Sequence, residues 1–366
     1  MKKSVWLLLF VFLNLACSSK LLKYEKSEQL KENKEFDQQV KIIETDSSAE
    51  SPHSESGHGT ATGSAALPPD VTAKTKPSIQ SKEMKSQAAK GKKAKTKKAN
   101  SSVHSLSPSA PAESGKRQPE LEGEIGFSGR RPTNDPFRVG EVVIHNVNYL
   151  KMTAGTLRFE TRPFAEVNGR KNYQFRTTIQ TSSVFNSFYS ANDYVDVLMD
   201  FEKMIPSVFT MHVKESTQLK EAQMFFDQDK NTATYWEKKV TDRDGEENKK
   251  QHWEIEPYAQ NIFSAAFYMR IFKWEVGKEI AFRVADDNQN MIFRGKALRK
   301  ERLVTAAGEF DAIVIRPEFE LQGKFKPTGD NYIWLSDDDR KFILRIESKI
   351  KIGSLVSEVV EIHPGH

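Results

Sequence analysis

Along KFILRIESKIKI (341–352) apolar and polar positions alternate, with Leu344, Ile346, Ile350 and Ile352 on one side and Arg345, Glu347, Lys349 and Lys351 on the other. A period of two marks a strand with one face in a core and one in water. The same reading applies upstream. GEVVIHNVNYLKM (140–152) and AGTLRFETRPFAEVNG (154–169) predict paired strands, and Asn168-Gly169 predicts the turn before KNYQFRTTIQT (171–181). DYVDVLMDFE, FTMHVKES, EAQMFFDQD, TATYWEKKV, HWEIE, EIAFRVAD, QNMIFRGKALRKERLV, FDAIVIRPEFEL and NYIWL continue the series, and DRDGEENKK (242–250) reads as a hairpin tip. Short strands in succession, without a helix between each pair, predict a mainly antiparallel β fold: a curved sheet or half-open barrel.

One segment departs from the pattern. AQNIFSAAFYMRIFKW (259–274) places Ile262, Phe263, Ala266, Phe267, Arg270, Ile271 and Trp274 at helical spacing, with Met269 and Phe272 on the flank. It is apolar nearly all round, which predicts a buried helix. At about 24 Å it is shorter than the hydrocarbon thickness of a membrane. Arg270 then needs a carboxylate, a carbonyl or a path to solvent.

Composition divides the chain. Between Lys20 and Ile125 the aromatics are Tyr24 and Phe36, and Ser, Lys, Ala, Pro, Gly and Glu dominate. Such a stretch buries too little apolar surface to offset its conformational entropy. Residues 17–135 therefore read as a long disordered tether, with a short, irregularly spaced helical stretch at 21–43, and 136–366 as the antiparallel β domain. Upstream, MKKSVWLLLFVFLNLACSSK has the layout of a secretory signal at 1–16, ending on Ala16 before the chain's one cysteine, Cys17. The Leu-Ala-Cys ending resembles a bacterial lipobox, although Asn14 stands where that box usually carries Leu. The resemblance implies lipidation of Cys17, a membrane partner through the lipid anchor and, with Ser18 in place of an Asp, an outer-membrane lipoprotein facing the periplasm. An acylated single thiol forms no internal disulfide, so stability rests on the core.

The charge is local. Lys74–Lys98 carries ten lysines against Glu83, a net +9 in a chain of net +5, so the remainder is net −4. The run reads as a solvated spacer or as a weak, salt-screened attraction to an anionic envelope polymer. No aromatics interleave it for base stacking, and the export signal argues against nucleic acid as a partner.

Catalytic signatures are missing from the sequence: no GxSxG, HExxH, P-loop or GxGxxG. Ser348 and Lys351 match SxxK but sit on a strand, where i and i+3 face opposite ways. His145, His212 and His252 fall singly on strands, and the paired His53/His58 and His363/His366 lie in flexible or terminal stretches. Asp337-Asp338-Asp339 is the most enzyme-like cluster. A calcium loop there would need a central glycine and a glutamate at its twelfth position, which is Ser348. Ser336–Lys341 instead reads as a hairpin connection whose Asp side chains satisfy backbone donors. The reading is a non-enzyme without cofactor or metal.

Four stretches carry a family resemblance: YSANDYVDVLMDFEKMIPSVF (189–209), SAAFYMRIFKWEVG (264–277), GEFDAIVIRP (308–317) and IWLSDDDRKFILRIESKIKIGSLVSEVVEI (333–362). The region from about Gly140 to the end resembles the bacterial domain-of-unknown-function family 3108, with Ile343 where that family is expected to carry a proline. The resemblance implies exported, mainly antiparallel β proteins without established catalytic residues. It extends distantly to periplasmic lipoprotein carriers of the Lol type, whose curved sheet wraps an apolar cavity lidded by helices. Two functions stay open. In one, the helix 259–274 covers a cavity for an apolar or lipid-like ligand contacted by Phe263, Phe267, Ile271 and Trp274, and loss of the Phe263 or Phe267 ring would cost less than about 2 kcal/mol of stability. In the other, the same residues are plain core and the domain is a structural or protein-interaction scaffold at the outer membrane.

Overall fold

Hairpin after hairpin carries the chain back and forth, as the alternation predicts. A computed structural model describes residues 33–44, 132–321, 324–326, 330–350 and 353–366. The signal 1–16, Cys17 and the lysine run 74–98 lie outside the described residues. The strands are β1 (Ile42–Glu44), β2 (Glu141–Tyr149), β3 (Met152–Val167), β4 (Arg170–Thr181), β5 (Asn192–Asp200), β6 (Pro206–Glu215), β7 (Gln218–Asp227), β8 (Thr232–Thr241) and β9 (Gly245–Glu254). After helix α2 (Ile262–Tyr268) come β10 (Glu279–Asp286), β11 (Gln289–Thr305), β12 (Gly308–Leu321), β13 (Lys324–Lys326), β14 (Asn331–Ser336), β15 (Ile343–Lys349) and β16 (Ser354–Pro364).

They form one antiparallel sheet in the order β10-β11-β12-β14-β15-β16-β2-β3-β4-β5-β6-β7-β8-β9, with β13 beside β12 and β1 beside β3. The pairing of the C-terminal β16 with β2 joins the halves of the domain. The sheet curls until its edges approach. Lys249 Nζ on β9 reaches Asp287 Oδ1 after β10 at 2.8 Å, and Asn290 Nδ2 donates to the Glu254 carbonyl at 2.9 Å. Side chains bridge this gap where no ladder is formed, so the barrel is open. At Asn168-Gly169 both central residues have positive φ, +50° and +78°, as a two-residue hairpin matched to the sheet twist requires.

Three sequence expectations are corrected. The segment DRDGEENKK is a tip only at 242–244; from Gly245 it is the edge strand β9, paired with β8 to Glu254. Its charged side chains suit an edge exposed to water. The helix predicted over 259–274 is α2 (Ile262–Tyr268), continued by one 3-10 turn over Met269–Ile271. Its start is set by Asn261, whose side chain accepts from Phe263 N while Ser264 Oγ accepts from Asn261 N. Gln260 has left the helix to bond the edge of β10, donating to the Arg283 carbonyl and accepting from Ala285 N.

The third correction concerns residues 33–44, which fall inside the tether predicted for 17–135. Here they form α1 (Lys34–Gln39), capped by Asn33, and β1. β1 pairs Ile42 with Val167 and Glu44 with Ala165, along the part of β3 that β2 does not reach. Phe36 and Val40 bury themselves on an outer-face patch of Ala165, Val167, Leu198 and Val208. The helix falls within the short helical stretch read at 21–43, but its docking was not legible because the patch that Phe36 and Val40 need is assembled from β3, β5 and β6.

Candidate functional site

The inner face of the sheet is the one α2 packs on. Phe267 stacks on Phe175 of β4 with centroids 4.2 Å apart, and Phe263 meets Phe209 of β6 at 5.4 Å. Register places Val197 and Met224 on the same face. Of the residues predicted to touch ligand, Phe263, Phe267, Ile271 and Trp274 are all buried in the main core. Trp274 lies on Gly295, where a Cβ would meet its ring at 2.6 Å, and its indole N–H donates to the Met269 carbonyl. None of the four lines the surface pocket of about 340 Å³ between Ile205, Phe226, Ile255 and Tyr258, next to the entry to α2.

Below the last helical turn sits the partner that Arg270 required. Its guanidinium donates twice to Glu141 (2.6 and 3.0 Å), twice to the Arg340 carbonyl (3.1 and 2.9 Å) and once to the Pro136 carbonyl (3.2 Å). Arg340 Nη2 adds a bond to Glu141 at 2.6 Å, and the rings of Phe137 and Phe342 flank the Arg270 cation. Every Arg270 donor group is engaged, so this is a structural clamp joining the α2 end, the start of β2 and the β14–β15 connection. The acidic triplet belongs to that connection. Asp338 Oδ1 accepts from the Arg340 and Lys341 backbone and from Ser336 Oγ, and Asp337 pairs with Lys300 at 2.6 Å. Among the described residues no three of His, Cys, Asp and Glu gather as metal ligands.

Packing on the inner face is uneven. Around α2 it is tight: Phe175 is 0% and Val197 1% exposed. Further along, Leu157 on β3 and Ile179 on β4 are cross-strand neighbours on that same face yet only half-buried. Ile333 on β14 and Ile346 on β15 are likewise paired and half-buried, as is Phe319 of β12, beside Phe293. Within α2, Phe263, Phe267 and Tyr268 are buried, while Ile262 and Ala266, one turn apart, are half-buried. The arrangement is a curved sheet filled by aromatic rings over one part of its inner face and lined with half-buried aliphatic side chains over another.

At the border of that aliphatic region stand two acids. Asp193 is the cross-strand neighbour of Ile179, and Glu215 pairs across from Ala191; both are buried. Burial, then the Glu215 charge, pushes the Asp193 carboxyl up to about 7. The sequence offered one signal for it: Asp193 alternates in register with Val195, Val197 and Met199, an acid in an apolar row. His145 is also buried. Its Nε2–H donates to the Ile343 carbonyl (2.8 Å), Nδ1 accepts from Ser357 Oγ (3.0 Å), and burial lowers its pKa to about 4, so it is a neutral structural residue.

Comparison with solved structures finds a β-barrel-like protein of domain of unknown function DUF1849 from Brucella abortus, 7% identical, TM-score 0.37, covering 62% of this chain and 97% of that one. A protein from Bacteroides fragilis described as exported, with a YmcC-like fold, is 10% identical with TM-score 0.29 over 62% and 97%. One from Parabacteroides distasonis described as a lipoprotein is 10% identical with TM-score 0.27 over 64% and 98%. No curated protein matches the chain. The family model described as protein of unknown function DUF3108 matches residues 145–360, more than half of the chain and nearly all of its sheet, and the chain belongs to that family.

Proposed function

We propose that this protein is an envelope lipoprotein, anchored through Cys17, whose β domain holds an apolar or lipid-like ligand against the uncovered part of its inner face. The observation that carries this reading is the set of half-buried aliphatic side chains on the concave side, Leu157, Ile179, Ile333 and Ile346. Apolar surface left in water costs about 25 cal/mol per Å², and a ligand chain laid over it recovers that energy. The contact residues in this reading are these four aliphatic side chains, while Phe263, Phe267, Ile271 and Trp274 belong to the core. The signal-like N-terminus and the lipobox-like ending at Cys17 support an envelope location.

The test is titration of the full chain with a fluorescent fatty-acid probe, together with native mass spectrometry of protein purified from its own envelope. Ile346→Asn should weaken probe binding by roughly tenfold or more, with the circular dichroism spectrum unchanged. A wild-type chain that takes up no probe and carries no bound lipid would overturn the reading in favour of an interaction scaffold.

A further inference from the structure

Two neighbouring tips carry apolar side chains into water. Between β2 and β3 the chain reads YLKMT (149–153), and between β4 and β5 it reads SSVFNSFYS (182–190). Leu150 is 56%, Met152 53%, Val184 68% and Phe188 81% exposed. These are four of the eight large hydrophobic side chains exposed among the described residues. The tips lie side by side: Ser182 N donates to the Ala154 carbonyl and Ser182 Oγ to the Thr153 carbonyl, both at 2.9 Å.

The turn at Leu150-Lys151 is held in an unfavourable form. Both residues have positive φ, +48° and +66°, as a two-residue hairpin turn of this kind demands. Two further turns of the domain place Asn168-Gly169 and Asp287-Asn288 in that conformation, residue types that adopt left-handed backbone with less strain. Leu150 is strained and gains little burial, so the fold by itself gives no reason for it. At their other ends the same strands carry charged turns. Arg170 and Lys171 follow Asn168-Gly169, Glu202 and Lys203 join β5 to β6, and Asp229 and Lys230 join β7 to β8. On the apolar tips the one charge is Lys151, with no Asp or Glu in either stretch, and Tyr149, Phe185 and Tyr189 accompany the exposed residues.

We propose that these two tips dock the domain on a lipid bilayer, with Leu150, Met152, Val184 and Phe188 inserted at the boundary of headgroups and acyl chains and Lys151 against lipid phosphates. The occupant follows from size and charge. A stable protein interface takes roughly 20–30 residues a side, and four side chains on two turns offer far less. A bilayer needs no matching shape: it accepts separate apolar tips, leaves their serines and asparagine hydrated among the headgroups, and attracts a lysine through its anionic phosphates. Tyrosines such as Tyr149 and Tyr189 suit that depth, with an apolar ring and a polar end. The proposal concerns the outside of the domain and holds whether or not the inner face takes a ligand.

The experiment is hydrogen exchange of the full chain, free and bound to vesicles of phosphatidylethanolamine and phosphatidylglycerol. Amides of 149–153 and 182–190 should exchange more slowly in the bound chain, while those of the opposite turn, 168–171, should not change. The double substitution Val184→Ser and Phe188→Ser should abolish that slowing with the circular dichroism spectrum unchanged, whereas Val304→Ser, also exposed but on β11, should keep it. Lys151→Gln should match the wild type on phosphatidylcholine vesicles and be the less protected on the anionic ones; equal protection there would remove Lys151 from the contact. A bound chain whose tips exchange as fast as in solution, or a double variant as protected as the wild type, would overturn the proposal. Slowing that needs no vesicles and grows with protein concentration would overturn it in favour of a second copy of the chain.

Discussion

Two parts of one inner face, built from the same strands, are finished differently. Where α2 lies, Phe175 and Val197 vanish beneath Phe267, ring on ring at 4.2 Å. Four residues further along the same β4, Ile179 keeps part of its surface, as do Leu157 beside it and Ile346. The residues are equally apolar, so hydrophobicity does not separate core from binding wall. Coverage does. A seven-residue helix fills only the part of the curve it reaches, because each turn advances 5.4 Å. The same limit is why the apolar ligand is assigned to the half-buried aliphatic residues rather than to the helix aromatics.

The comparison can be broken most severely at the clamp that fixes the filled part. Arg270→Met would leave Glu141 buried beside Arg340 alone and should cost about 5 kcal/mol, near the upper figure for breaking a buried pair; urea denaturation measures it, and a loss under about 1 kcal/mol would show that the clamp is dispensable. Phe267→Ala should cost about 4 kcal/mol, since it opens a void between Phe175 and Phe159. Retention of full stability there would return Phe267 to the ligand wall that the helical spacing suggested.

Ile346→Ala sharpens the contrast. Half-buried and facing the open region, it should cost about 1 kcal/mol of stability, and the same denaturation series compares it directly with Phe267→Ala. A pH-dependent effect is expected at Asp193. Its folded pKa of about 7 stands above the ordinary 3.8, so the native state holds a proton that the unfolded chain releases, and its contribution is lost as pH climbs from about 4 to 7. Asp193→Asn has no such loss. Its thermal midpoint should match the wild type at pH 4 and exceed it at pH 8; a constant difference across that range would show that the acid does not titrate as its burial implies.

Much of the sheet was legible because alternation is a local property. Asn168-Gly169 marked its hairpin, the acidic triplet its connection, and Arg270 its need for a carboxylate, although nothing near it in sequence named Glu141, 129 positions away. The helix was found but drawn too long. Apolar spacing continued through Trp274, whereas Asn261 and the β10 edge decided where α2 began. In the strand expected to run on to Ile352, β15 ends at Lys349 and Ile350 N turns to the Gly353 carbonyl; Lys351 and Ile352 lie outside the described residues.

Period and turn chemistry in the sequence alone determined that the domain is antiparallel β, which side chains share a face, and where most hairpins close. Those signals act within a few residues and need no partner. The tertiary structure decided which face curves inward, how far one short helix covers it, that Phe36 and Val40 have a surface to dock on, and that Asp193 meets Glu215 at the end of an aliphatic row. Each of these depends on strands distant in sequence arriving at the same place, and burial, with the charge and packing it enforces, exists only once they have.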